Sequence, residues 1–74
     1  MSAFETVRSL FVENLDVAEE DVTPETPLRE LVVESLEIAN LMLELENAFG
    51  IDISDEQMCS FKYVGDIARF AESQ

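Results

Sequence analysis

Breakers of regular structure are scarce in this chain, and their placement constrains the fold more than any other feature. Glycine occurs only at Gly50 and Gly65, and proline only at Pro24 and Pro27. Between them the apolar residues recur at steps of three and four, the spacing of a helix face, and no stretch alternates as a strand would. The chain has 74 residues, with no internal repeat, low-complexity tract or dividing linker, so 1–74 is expected to be one all-α domain. Such a chain buries only roughly 60% of its unfolded surface, which leaves a thin core.

Helix signals come in chain order. Ser2-Ala3-Phe4-Glu5 fits a capping box, in which Ser and Glu satisfy each other's free backbone N–H groups. Phe4, Val7, Phe11 and Leu15 continue a first helix, expected to end near Asn14 to Asp16. Residues 16–33 then read as a long connection carrying Glu19-Glu20-Asp21 and Thr23-Pro24-Glu25-Thr26-Pro27, whose prolines forbid a continuous helix. Val17, Val22, Leu28, Leu31 and Val32 are spaced along it as apolar anchors, and a connection of this length suggests function.

A second helix is expected over 35–49, stopped by Gly50. Ile38, Leu41, Met42, Leu45, Ala48 and Phe49 form its core stripe. Leu36, Ala39 and Leu43 are left over as a narrower apolar row, flanked by Glu37, Asn40, Glu44 and Asn47. Two readings stand: the row widens the core face, or it is a surface for a partner. Ser54-Asp55-Glu56-Gln57 opens a short third helix through Phe61, and a last helix from Tyr63 or Val64 to Ala71 buries Val64, Ile67, Ala68 and Ala71. The expected architecture is a small four-helix bundle, three longer helices and one short third, with a long first loop.

Charge excludes whole classes of function. Four Lys and Arg face seventeen Asp and Glu, for a net charge of −13. That disfavours nucleic acid and anionic membranes, while 47% hydrophobic content is too high for a disordered acidic tail. There is no histidine, hence no Ser–His or Cys–His nucleophilic pair and no His-based zinc site. A calcium loop counted from Asp52 would need Gly and Glu where Gln57 and Tyr63 stand, so no metal site is expected. The single Cys59 forms no internal disulfide, and no cation adjoins it before Lys62, so it reads as a structural thiol. No apolar run approaches a membrane span and no secretory signal is evident, so the expected location is cytoplasmic, without membrane insertion and as a monomer.

The sign distribution says more than the total. From Glu30 to Phe61 there is no Lys or Arg, but eight carboxylates, bordering the surplus apolar row. The field serves either as a solvated face or as a dock for basic protein surfaces, with fast, salt-sensitive association. Self-repulsion of these charges is expected to make the protein's stability rise with salt. Ser35 stands at the head of both field and row. It is either a plain N-cap or the carrier of a group, and a phosphodiester there would sit at the positive end of the helix.

Leu31-Val32-Val33-Glu34-Ser35-Leu36-Glu37, with the stretch from Leu41 to Ile53 and the tail Phe61-Lys62-Tyr63-Val64-Gly65-Asp66-Ile67, resembles the acyl carrier protein family. The resemblance covers nearly the whole chain and is most specific over 31–67. It implies a stand-alone, non-catalytic carrier. Ser35 would bear a 4′-phosphopantetheine arm supplied from coenzyme A by a phosphopantetheinyl transferase, and acyl groups would ride on the arm's thiol as thioesters. It implies partners with basic docking patches, namely the synthases, reductases, dehydratases and acyltransferases of fatty-acid, polyketide or specialised lipid biosynthesis. By position it assigns partner contact to Glu34, Leu36, Glu37, Leu43, Glu44, Glu46 and Ile53. Ile38, Met42 and Phe61 are either cargo-enclosing or core.

Five positions depart from that pattern. Glu34 stands where the family has an Asp that helps hold magnesium during arm transfer, and Val32 replaces a common Gly. Asn40 and Asn47 stand where many relatives have Glu, and Tyr63 replaces a Thr cap. Together they point to a carrier with its own partners, and Glu34 and Val32 are the main support for a rival reading: an unmodified adaptor with the same fold, acting as an acidic docking module.

Overall fold

The capping box at Ser2 forms as expected: the Ser2 hydroxyl accepts from the Glu5 N–H at 3.1 Å while the Glu5 carboxylate accepts from the Ser2 N–H at 3.1 Å. It starts helix α1, Ala3–Asn14, in the computed structural model, which describes residues 2–32 and 34–74. Four further helices follow: α2 over Leu28–Leu31, α3 over Ser35–Phe49, α4 over Asp55–Ser60 and α5 over Val64–Glu72. A turn of 3₁₀ helix at Glu19–Asp21 lies in the first connection. The fold is all-α, and the described residues contain no strand.

The single correction to the helix count is α2. One turn is too short to leave a periodic pattern, so residues 28–31 read in sequence only as anchors. The connection is well braced. Leu15 and Val22 enter the core, the Thr26 hydroxyl donates to the Asp21 carbonyl at 3.0 Å and accepts from the Thr23 N–H at 2.9 Å. Opposite it runs the segment before α5. Leu28 N–H donates to the Lys62 carbonyl at 2.9 Å and Val64 N–H to the Thr26 carbonyl at 3.0 Å, forming one isolated antiparallel bridge.

Gly65 is therefore not a breaker, although its spacing suggests one. It sits inside the first turn of α5, where its N–H donates to the Pro24 carbonyl at 2.9 Å. A methyl group there would lie 2.8 Å from that same oxygen, so only glycine permits the approach. Gly50 does what the sequence indicates, ending α3 in the left-handed region at φ 65°.

The core joins α1 to α3 and α5. Val7 and Phe11 meet Leu41 and Leu45, and Val64, Ile67 and Ala68 close the layer, with Ile53 and Met58 brought in from the loop and α4. Phe61 and Phe70 stack tilted at 5.6 Å between centroids beside this core. Two residues assigned to the inner stripe of α3 lie outside it. Ala48 is exposed and Ile38 is 39% exposed. Only Leu41 and Leu45, in the middle of the helix, are fully covered, while Met42 and Phe49 are half-buried against the core.

Candidate functional site

Helix α3 begins with an acidic residue. Glu34 is the N-cap, in extended backbone, and Ser35 is the first helical residue. The Glu34 N–H donates to Glu37 Oε1 at 3.2 Å, and the Glu34 carbonyl accepts from the Glu37 and Ile38 N–H groups. Ser35 is therefore not the cap. Its side chain is exposed, and its hydroxyl makes no hydrogen bond among the described residues. A hydroxyl spared from capping, at the positive end of a 15-residue helix, suits esterification by a phosphate.

The surface next to Ser35 is apolar. A groove runs from Ser35 past Ala39 and Met42 to Met58 and Cys59. It shares Ile38, Met58 and Cys59 with a cleft of about 260 Å³ between α2, α3 and α4, also lined by Phe61 and Arg29. Ile38 is half-exposed because it walls this opening. Cys59 lies exposed on the same rim.

The surplus row of α3 faces solvent. Leu36 is 68% exposed and Leu43 58%, and Ala39 between them is exposed too, which removes the reading that this row widens the core. Glu34 and Glu44 are exposed beside it, and Glu37 is half-buried in its capping role. An apolar pair bordered by carboxylates and open to solvent has the chemistry that a partner-binding helix face requires.

Two assigned contact residues take different places. Ile53 is 5% exposed and belongs to the core, so it is not a surface contact. The chain turns inward after Gly50, and Glu46 holds it there: Glu46 Oε2 accepts from the Ile53 N–H at 2.8 Å. Half-buried Glu46 is thus a loop tether. That role had no local signal, since it depends on a turn seven residues away.

At the far end, Tyr63 contributes no side-chain cap to α5, and Asp66 compensates. Its Oδ2 accepts from the Tyr63 and Lys62 N–H groups, both at 3.0 Å, and its other oxygen pairs with Arg69. The Tyr63 and Lys62 N–H groups and the Arg69 guanidinium hold the Asp66 carboxyl below its ordinary range. The Ser2 backbone N–H and hydroxyl do the same for Glu5. Among the described residues no group of three or more Cys, Asp or Glu is placed to hold a metal ion, and no helix is long and apolar enough to cross a membrane.

Known proteins match this arrangement along almost its whole length. The family described as "Phosphopantetheine attachment site" matches residues 5–71. Proteins named "Acyl carrier protein" from Helicobacter pylori, strains G27 and HPAG1, are each 36% identical over 73 residues, which is 97% of this chain and 94% of the relative.

Proposed function

Since the chain belongs to the acyl carrier protein family, a family of non-catalytic carriers with a covalent 4′-phosphopantetheine group, we propose that Ser35 is the residue that bears it. The observation that carries this reading is the free, exposed Ser35 hydroxyl at the head of α3, with Glu34 taking over the cap. When bound, the arm supplies a thiol that holds acyl groups as thioesters. The protein's own part is to orient the arm at the helix end, to offer the arm's cargo an apolar cleft, and to be recognised.

Residues 1–74 act as one carrier domain. Partners read the exposed face of α3: Leu36 and Leu43 supply the apolar contact, and Glu34, Glu37 and Glu44 meet basic side chains. Those partners are a phosphopantetheinyl transferase and acyl-processing enzymes of fatty-acid, polyketide or specialised lipid synthesis. Glu34 and Asn40, which depart from the family pattern on this same face, favour a carrier with its own partner set. Ile38, Met42 and Phe61 line the openings beside Ser35, which supports a cargo-enclosing role over a purely packing one.

Intact mass tests the attachment. Incubation with a phosphopantetheinyl transferase, coenzyme A and magnesium adds one phosphopantetheine to the chain, and Ser35→Ala adds none. No gain with a panel of transferases, including the one from the source organism, would overturn the carrier reading and leave the unmodified docking adaptor.

A further inference from the structure

The four cations of this acidic chain divide into two pairs with different surroundings. Arg8 lies 3.6 Å from Glu19, and Arg69 is paired with Asp66. Arg29 and Lys62 make no ion pair among the described residues, although seventeen carboxylates are present. Both line one cleft between α2 and the segment leading into α5. The hydrogen bond from Leu28 N–H to the Lys62 carbonyl, 2.9 Å, fixes the two backbones that carry them. In a molecule of net charge −13, two exposed cations without an ion pair on one cleft bring positive charge to an otherwise acidic surface.

This cleft is continuous in its lining with the openings at Ser35. It shares Leu28, Arg29 and Phe61 with the apolar cleft, which shares Ile38, Met58 and Cys59 with the groove beside Ser35. The series therefore runs from the arm's attachment point, through linings that are mostly apolar but include Asp55 beside Ser35 and Arg29 in the middle cleft, to the cleft that also carries Lys62. We propose that it holds an acyl cargo ending in a carboxylate, with the methylenes against Ile38, Met58 and Phe61 and the terminal carboxylate at Arg29 and Lys62. This rests on the carrier reading of Ser35. An apolar cleft alone would take any alkyl chain. A guanidinium at its far end, matched to carboxylate geometry and backed by an ammonium, favours a dicarboxylic half-thioester.

The test compares two cargoes of equal length, octanoyl and octanedioyl, loaded from their coenzyme A thioesters by a transferase and verified by intact mass. Each is loaded on the wild type and on the Arg29→Gln/Lys62→Gln double variant, whose folding is checked by circular dichroism. Cleavage by hydroxylamine is timed against the same thioester on free pantetheine. In the wild type at low salt octanedioyl is expected to be cleaved about threefold more slowly than octanoyl, the effect of a partly exposed charge contact. That advantage disappears in the double variant and at about 1 M salt, and Arg29→Lys retains part of it. Amide resonances of residues 28–30 and 62–63 shift with octanedioyl alone.

Octanedioyl cleaved as fast as octanoyl, with octanoyl itself protected, would overturn the proposal. The cargo cleft would stand and the cation pair would serve another occupant, such as an acidic partner protein. Equal cleavage of both cargoes at the free-pantetheine rate would overturn the cleft as well. Failure to load any arm would overturn the carrier reading from which both follow.

Discussion

Helix α3 is two structures in one. Its middle is committed to the core, where Leu41 and Leu45 are wholly buried and the helix packs against α1. Its opposite face carries Leu36 and Leu43, the same residue type, open to solvent. The acids divide in the same way. Glu46 is spent on the Ile53 backbone, whereas Glu44, two residues earlier, has no such task and is exposed. The contrast shows that side-chain chemistry alone does not decide which residues of this helix reach solvent. What decides it is which surface folding leaves uncovered. One helix is then held on one side and open to solvent on the other.

The largest test of this contrast is a matched pair of leucine truncations. Leu45→Ala removes a wholly buried side chain from a thin core and is expected to cost about 2–5 kcal/mol, enough to unfold much of a domain this small. Leu43→Ala is expected to change stability by less than about 0.5 kcal/mol. Its effect falls on association, as a slower transfer of the arm or weaker binding to an acyl-processing enzyme at unchanged melting temperature. Equal melting temperatures for the two variants would show that the two faces are not divided as described.

A second pair removes one negative charge from each face, so that relief of the overall repulsion cancels in the comparison. Glu46→Gln weakens the hydrogen bond that turns the chain inward after Gly50, at an expected cost of about 1 kcal/mol. Glu44→Gln is expected to be neutral or slightly stabilising, within about 0.5 kcal/mol. Urea denaturation at fixed salt reads both. If Glu46→Gln is as stable as Glu44→Gln, the tether contributes nothing and Glu46 returns to the docking face.

Much of this division was legible in the sequence, and what was not has a common cause. The capping boxes at Ser2 and Ser54, the length of α3 and its stop at Gly50 are local signals, and each was read from residues within a turn or two. The surplus row on α3 was visible as a periodicity, although only burial could decide that it faces solvent. The inward turn of Ile53, the exposure of Ile38, and the fit of Gly65 against Pro24 depend on where distant segments pack. The α2 turn is of the same kind, since a helix of four residues is stabilised by its contacts and not by its own pattern. At the site, Ser35 stood out in the sequence as the residue that opens α3, but its freedom from capping follows from Glu34 being drawn into the N-cap position, an unusual residue there.

The smallest expected effect concerns acid, and it separates the caps from the rest of the carboxylates. The Asp66 carboxyl is held below its ordinary range by the Tyr63 and Lys62 N–H groups and by Arg69, so the unfolded chain binds its proton more readily than the folded one. A group with a lowered folded value stabilises the protein fully above the unfolded pKa, about 3.9 for Asp, and loses that contribution as pH falls through the lower folded value. Glu5 at the start of α1 behaves in the same direction. Melting curves between neutral and strongly acidic pH are therefore expected to show a loss of stability below about pH 4, made shallower in Asp66→Asn, whose amide still accepts hydrogen bonds but no longer titrates. Because Asp66 anchors the segment bearing Lys62, the same acid step should loosen the brace between that segment and α2 before the α1–α3 core gives way. A profile unaltered by Asp66→Asn would place the acid sensitivity elsewhere among the carboxylates and leave the α5 cap without a share in it.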